Sequence, residues 1–276
     1  MVKSMSIKLI GIDLDGTMLN DNKEISTINI EAIKNALSLG VRVVLATGRP
    51  LSDIVVNYHK QLGLFNPGQE FVGYNGSALI DVCTNTYIEK HMMNLDNVKE
   101  VFSFASSMNA ACYAYLSDVL LYNHLNEYVL KERYFNNSNF DQIDLDNLPN
   151  DFECFKVMIA EEKSVLDVIE KSIPDYLKEK YTILRSMDIY LEFIPKVANK
   201  FNALRNVAKR HGIKDDEIMA IGDSMNDYPF KDAKYSVAMA NSVSKIKNEF
   251  KYHTASNNDS GVGLIINDFI KKGEMM

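Results

Sequence analysis

The sequence predicts an α/β protein built on a parallel sheet, with a second, smaller α+β unit inserted into it. Three observations carry this prediction. Short apolar runs that end in small, polar or acidic residues alternate with amphipathic stretches, as buried parallel strands joined by helices do. The middle of the chain reads instead as hairpin partners with short helices. The composition, 276 residues with 46% hydrophobic and 24% charged, is globular and long enough for two medium domains at roughly 100–200 residues each.

Taken in order, Lys8 to Leu14 (KLIGIDL) is an apolar run that stops at Asp13-Leu14-Asp15-Gly16. Ile28 to Leu39 then places Ile30, Ile33, Ala36 and Leu37 at helical spacing, with Gly40 as its stop. Val41 to Ala46 is β-branched and ends in Thr47-Gly48-Arg49-Pro50, and Pro50 suits the first turn of a helix running to about Leu62. Phe71 to Tyr74 ends in Asn75-Gly76-Ser77, Glu217 to Ile221 ends in Gly222-Asp223-Ser224, and Tyr235 to Met239 ends near Asn241. Parallel sheets bind ligands beyond the carboxyl ends of their strands, so Asp13, Thr47, Asn75 and Asp223 are expected to converge.

Between them, Ala111 to Leu116 and Val119 to His124 flank a two-residue Ser117-Asp118 turn, a hairpin signal. Phe152 to Ala160 and Tyr181 to Phe193 are further strands, and helices are expected over Val98 to Met108, Glu127 to Phe135 and Val165 to Ile173. The Asn- and Asp-rich stretch Asn136 to Asp151 reads as a loop. The expected division is residues 1–84 with 188–276 as the main domain, and 85–187 as the insertion.

The charge balance narrows the function. With 30 Lys+Arg against 37 Asp+Glu and a net charge of -7, the surface repels phosphate backbones, which argues against nucleic-acid binding. Cys83, Cys112 and Cys154 are scattered and odd in number, supporting neither a zinc cluster nor a disulfide framework. No signal peptide is apparent, and no run approaches the ~18 apolar residues of a membrane span. A cytoplasmic chain with no membrane partner is expected, while oligomeric state is unreadable.

Asp13-Leu14-Asp15-Gly16-Thr17 is the strongest local signal. Residues i and i+2 of an extended strand point the same way, so both carboxylates would face one spot, where a divalent cation relieves their repulsion. An isolated pair of this kind is more often a solvated turn. Gly222-Asp223-Ser224-Met225-Asn226-Asp227 is a second acidic tip, in which Asp223 could complete a metal site with Asn226 or Asp227 behind it. Alone it would read as a helix cap. Thr47 offers a hydroxyl and backbone amides to an anion at a helix start, or plain capping. Lys200 in the first turn of a helix over Asn199 to His211 opposes the helix dipole, which hints at a nearby anion, although most lysines are surface residues.

Taken together, DLDGT at Asp13 to Thr17, ATGR at Ala46 to Arg49, Lys200, and GDSMND at Gly222 to Asp227 resemble the four ordered motifs of the haloacid dehalogenase superfamily. The block before Lys200, with Asn75-Gly76-Ser77 ahead of it, resembles the Cof-type branch (class IIB). Two departures stand out: Phe201 follows the motif lysine where glycine is usual, and Ala240 replaces the glycine of a VAMGN segment. The resemblance implies a Rossmann-like parallel-sheet core carrying an α+β cap, and a phosphatase acting on small phosphorylated metabolites, sugar phosphates first. It implies Asp13 as nucleophile and Asp15 as acid and base. It also implies Mg²⁺ on Asp13, the Asp15 carbonyl and Asp223, with Asn226 as a further ligand and Asp227 behind them. Thr47, Gly48, Lys200, Asn75 and Gly76 would hold the phosphate. A receiver domain would need its acceptor aspartate where Asn75 stands, and a DxD glycosyltransferase would leave Lys200 and GDSMND unexplained. A phosphomutase or a non-catalytic sensor on the same scaffold remain as alternatives. Tyr113, Tyr115, Tyr122, His124 and Arg185 are candidates for substrate contact on the cap strands.

Overall fold

The computed structural model describes residues 7–116, 119–136 and 139–275. The chain divides into two compact units, one running to Ile88 and resuming at Lys200, the other Glu89–Asn199.

The first unit opens with β1 (Leu9–Ile12), buried throughout. α1 (Thr27–Ser38) is capped by Ser26, whose hydroxyl accepts the Asn29 N–H at 3.2 Å. After β2 (Arg42–Leu45), α2 (Asp53–Leu62) stops at Gly63, which takes the left-handed φ of 76° common at helix ends. β3 (Glu70–Gly73), β4 (Ala78–Asp81) and β5 (Thr86–Lys90) form a three-stranded sheet. Phe71 to Tyr74 is therefore not a full parallel partner of β2. A single bridge between Ala46 and Val72 joins them, and β3 spends its other edge on an antiparallel pairing with β4.

The second unit begins with β6 (Met93–Asn94) and α3 (Leu95–Ser107), where Asn94 and Asn97 cap each other reciprocally. β7 (Cys112–Tyr115) and β8 (Val119–Tyr122) are antiparallel as expected, the Ser117-Asp118 turn itself lying outside the described residues. α4 (Glu127–Asn136) follows, and then β9 (Asn139–Gln142), a strand inside the stretch expected to be a loop. Its backbone pairs in parallel with β8, so sheet hydrogen bonding overrides its turn-forming composition. β10 (Glu153–Cys154), β11 (Lys156–Ala160), α5 (Lys163–Lys171), α6 (Asp175–Lys180), β12 (Tyr181–Met187) and β13 (Tyr190–Pro195) complete it.

β12, β13, β11, β7, β8 and β9, in that order, make a six-stranded sheet. Cys112, Ala114, Val157, Ile159, Leu191 and Phe193 alternate onto one face and pack with Val98, Phe102 and Ala105 of α3. The expected boundary at 187/188 is corrected here. β13 pairs with both β11 and β12, so the insertion runs on to Asn199. At its start, the second unit begins at Glu89 rather than at residue 85. Tyr113 and Tyr115 are buried, and Arg185 is spent on Asp167 and Glu170, as a packing residue would be.

The chain returns to the first unit with α7 (Lys200–Arg210), β14 (Ile218–Gly222), β15 (Tyr235–Ala238), α8 (Ser244–Glu249), β16 (Tyr252–His253) and α9 (Gly261–Lys271). The parallel core sheet has the order β16, β15, β14, β1, β2. β1 is an interior strand between β14 and β2, with Leu9 opposite both Ile218 and Arg42. α7 lies directly on it: a Cβ added at Gly11 would stand 2.1 Å from Leu204. The departure at Phe201 is absorbed in this packing, where its ring is buried beside Leu204 and Val207.

The far end of α7 is tied down by Glu70 of β3. This buried carboxylate takes Arg42 at 3.2 Å, Arg210 at 3.1 Å and His211 Nε2 at 2.8 Å. Glu70→Gln is expected to cost about 1–3 kcal/mol, because its partners reach water and can resolvate. A lower urea midpoint at unchanged m-value is the check, and an unchanged midpoint would refute it.

Candidate active site

β1 ends at Ile12, and Asp13 is held just past it by its N–H to the Ile221 carbonyl at 3.0 Å. Leu14 to Thr17 then form a tight turn, closed by the Thr17 N–H on the Leu14 carbonyl at 3.3 Å, with Gly16 at φ 78°. That angle at the third position marks a type II turn, and glycine adopts it without strain. The turn separates the two aspartates. The strand stops before Asp13, so the alternation that would aim both carboxylates at one point does not apply.

Asp13 is buried and meets Asp223 and Asp227, the three offering carboxylate oxygens within 4.8 Å of one another. Lys200, completely buried at the start of α7, bridges Asp13 at 2.6 Å and Asp227 at 2.7 Å. Asp227 turns its other oxygen to the N–H groups of Asp223, at 3.0 Å, and Ser224. The Thr17 hydroxyl donates to Asp223 at 2.9 Å. The Asp15 carboxylate instead takes a two-pronged grip from Arg49, 2.7 Å on each oxygen, and Lys23 at 2.8 Å.

The other expected residues form a second cluster. Thr47 is not at a helix start, because α2 begins only at Asp53; its hydroxyl accepts the Arg49 N–H at 3.3 Å. Its carbonyl accepts the Asn75 N–H at 2.9 Å, bringing the fully buried Asn75 alongside. Tyr74 and Asn75 take left-handed φ values of 51° and 57°, and Gly76 follows at 98°. Gly48 permits this approach, since a Cβ there would stand 3.1 Å from the Asn75 amide. Asn226 reaches across to donate to Asn75 at 3.1 Å, and its own carbonyl accepts from the Ser224 hydroxyl. Its amide is thus occupied within this network rather than joined to the acidic trio.

Three carboxylates around one ammonium leave uncompensated negative charge. Burial, reinforced by Asp227 and Asp223 against Lys200, holds the Asp13 pKa well above the ordinary range. Burial and then Asp227 push Asp223 up to about 7, with the Thr17 hydrogen bond and Lys200 opposing. For Asp15, burial works the other way, but the Arg49 grip outweighs it and, with Lys23, holds it at about 2. Burial disfavours the Lys200 charge, yet Asp13 and Asp227 raise its pKa above that of an ordinary lysine. The donor set is hard oxygen with net negative charge, which fits a divalent cation of the magnesium kind.

A pH dependence follows for this one group. Asp223 holds its proton more tightly in the folded, metal-free chain than in the unfolded one between 3.8 and about 7. Its contribution to stability without metal is therefore expected to fall as pH rises through that window, by at most about 1.4 kcal/mol per unit, while buried His59, lowered to about 4, contributes a rise over the lower part of it. A divalent cation should flatten the Asp223 contribution. The difference between wild-type and Asp223→Asn melting curves, with and without the ion, would show it, and a metal-free difference that stays constant over the window would contradict it.

Arg49 carries a role that sequence reasoning missed, although it lies within the quoted ATGR; its spacing from Thr47 alone does not reveal its partner. Asn241 is another, donating to the Gly16 carbonyl at 2.7 Å. Beside it Ala240 avoids the left-handed region, so alanine in place of glycine adds no backbone strain.

Known proteins resemble this chain over nearly its whole length. The profile of the haloacid dehalogenase-like hydrolases matches residues 10–266. A Streptococcus pyogenes protein whose name gives phosphatase as a provisional assignment is 34% identical, over 96% of this chain and 99% of its own. A Bacillus subtilis protein named as a 5-amino-6-(5-phospho-D-ribitylamino)uracil phosphatase is 30% identical, over 96% and 98%. A haloacid dehalogenase-like hydrolase from Bacteroides thetaiotaomicron superposes with a TM-score of 0.81 at 28% identity, covering 96% of this chain and 100% of that one. A structure described as a subclass IIB sugar phosphatase has the same fold, with a TM-score of 0.81 at 21% identity, covering 95% and 98%. Among the described residues, no helix is long and apolar enough to cross a membrane.

Proposed function

The chain belongs to the haloacid dehalogenase-like hydrolases and is a hydrolase of phosphoric monoesters, and from that premise we propose a Mg²⁺-dependent phosphatase of small phosphorylated metabolites that works through an aspartyl-phosphate on Asp13. The observation that carries this reading is the Asp13 carboxylate, buried beside Asp223 and fixed by Lys200 at 2.6 Å.

In this reading the Asp13 carboxylate attacks phosphorus, the bond to the leaving oxygen breaks, and an acyl phosphate forms on Asp13. Asp15 supplies the proton to the leaving oxygen once the Arg49 and Lys23 contacts that keep it ionised here are released and it has taken up a proton from water. It then accepts one from the water that cleaves the acyl phosphate. The ionised Asp15 held by Arg49 and Lys23 is the form that second half requires. Lys200, Thr47 and the Gly48, Asn75 and Gly76 backbone hold the phosphoryl oxygens. The residues that would hold Mg²⁺ are Asp13, the Asp15 carbonyl and Asp223, with Asn226 turning from its present partners; what it supplies is charge neutralisation. Asp227 keeps Lys200 and the Asp223 backbone in place.

Substrate selection is assigned to the inserted unit, and a phosphorylated sugar or polyol is the first candidate. A sugar and a ribityl chain occur in the names of the two proteins just described. The test is phosphate release from an aryl phosphate with and without Mg²⁺, followed by a panel of sugar phosphates. Release that needs Mg²⁺ supports the reading. Transfer of phosphate to a second sugar rather than to water would make it a mutase, and no turnover with any substrate would leave a sensor.

A further inference from the structure

The loop after β1 is held at two places. Inside it, the Thr17 N–H bonds the Leu14 carbonyl at 3.3 Å and an isolated bridge pairs Asp15 with Leu19. Gly16, at φ 78°, leans so close to Asp223 that an added Cβ would stand 2.6 Å from its Oδ2, and the Thr17 hydroxyl donates to Asp223 at 2.9 Å. The carbonyl of the Gly16-Thr17 peptide is held from outside the turn.

That anchor comes from the other end of the chain. The Asn241 side-chain amide donates to the Gly16 carbonyl at 2.7 Å, and its own carbonyl accepts the Asn257 N–H at 3.0 Å. Asn257, buried, donates in turn to the Leu19 carbonyl at 3.0 Å and to Asp21 at 3.1 Å. We propose that Asn241 is a positioning residue for the cation site: braced by Asn257, it fixes the Gly16-Thr17 peptide and thereby keeps Gly16 and the Thr17 hydroxyl seated against Asp223, one of the residues that would hold the cation. The inference rests on the Mg²⁺ site of the proposed function. It adds that affinity for the cation depends on a side chain that touches no ligand.

The test is calorimetric titration of the full-length, metal-free protein with Mg²⁺ alone. Asn241→Ala is expected to raise the Kd about tenfold or more, the range of outer partners of metal ligands, with little change in metal-free melting temperature. Asn258→Ala is the control. It removes an amide that contacts only Asp21 in the same network, and its Kd should match wild type. A Kd within about twofold of wild type for Asn241→Ala, or an equal rise for Asn258→Ala, would overturn the proposal. A wild type that takes up no Mg²⁺ would overturn the metal reading and this inference together. A wild type that binds Mg²⁺ but releases no phosphate would overturn the phosphatase reading alone, leaving the Kd comparison to decide the role of Asn241.

Discussion

Asp13→Asn is expected to lower kcat for any phosphate monoester by at least about four orders of magnitude, because an amide cannot form the acyl phosphate. The same substitution should not destabilise the metal-free protein. It removes one of three carboxylates crowded within 4.8 Å while preserving shape, so the melting temperature without metal should hold or rise. What it should remove is the stabilisation that divalent cations give the wild type, a linkage effect that follows ligand affinity. Stopped assays for phosphate, beside melting curves with and without Mg²⁺, measure both. Turnover surviving in the variant would remove Asp13 from the nucleophile role, whatever the metal does.

Lys200→Met has the second large effect, and it falls on stability as well as activity. Lys200 is fully enclosed, and both its partners are buried. Removing the ammonium leaves Asp13 and Asp227 buried without their shared counter-charge, a loss of about 3–5 kcal/mol in comparable cases. Urea unfolding near neutral pH should show the midpoint fall at constant m-value. The deficit should shrink at acid pH, because the buried Asp13 carboxyl, held well above the ordinary range, takes up a proton. A variant as stable as wild type near neutrality would overturn this expectation.

Much of this was readable from the residues. The apolar runs around Leu9, Val43, Ile218 and Val237 do form one parallel sheet, because burial on both faces writes itself into composition. Their polar ends supply Asp13, Thr47 and Asp223, and the helix expected from Asn199 delivers Lys200 to the acidic group. The errors arose where local pattern is blind to partners. Asp13 and Asp15 look alike at two-residue spacing, but their fates are set by a strand that stops at Ile12 and by Arg49, thirty-four residues away. Tyr190 to Pro195 is buried almost throughout like a strand of either unit, and only its pairing with β11 assigns it to the insertion. Asn139–Gln142 has the composition of a turn, and its pairing with β8 decides otherwise.

The place of β1 between β2 and β14 bears on how the chain is made. Leu9 needs Ile218 as a neighbour on one side, and that residue is synthesised about 10–40 s later at ordinary elongation rates. Through that interval β1 and β2 leave the ribosome with an apolar edge open, the exposure that invites aggregation and chaperone capture. Glu89–Asn199, by contrast, is a continuous segment with a core of its own, so it can finish first. Birth order thus runs opposite to chemical importance: the inserted unit matures early, and the catalytic centre is assembled last.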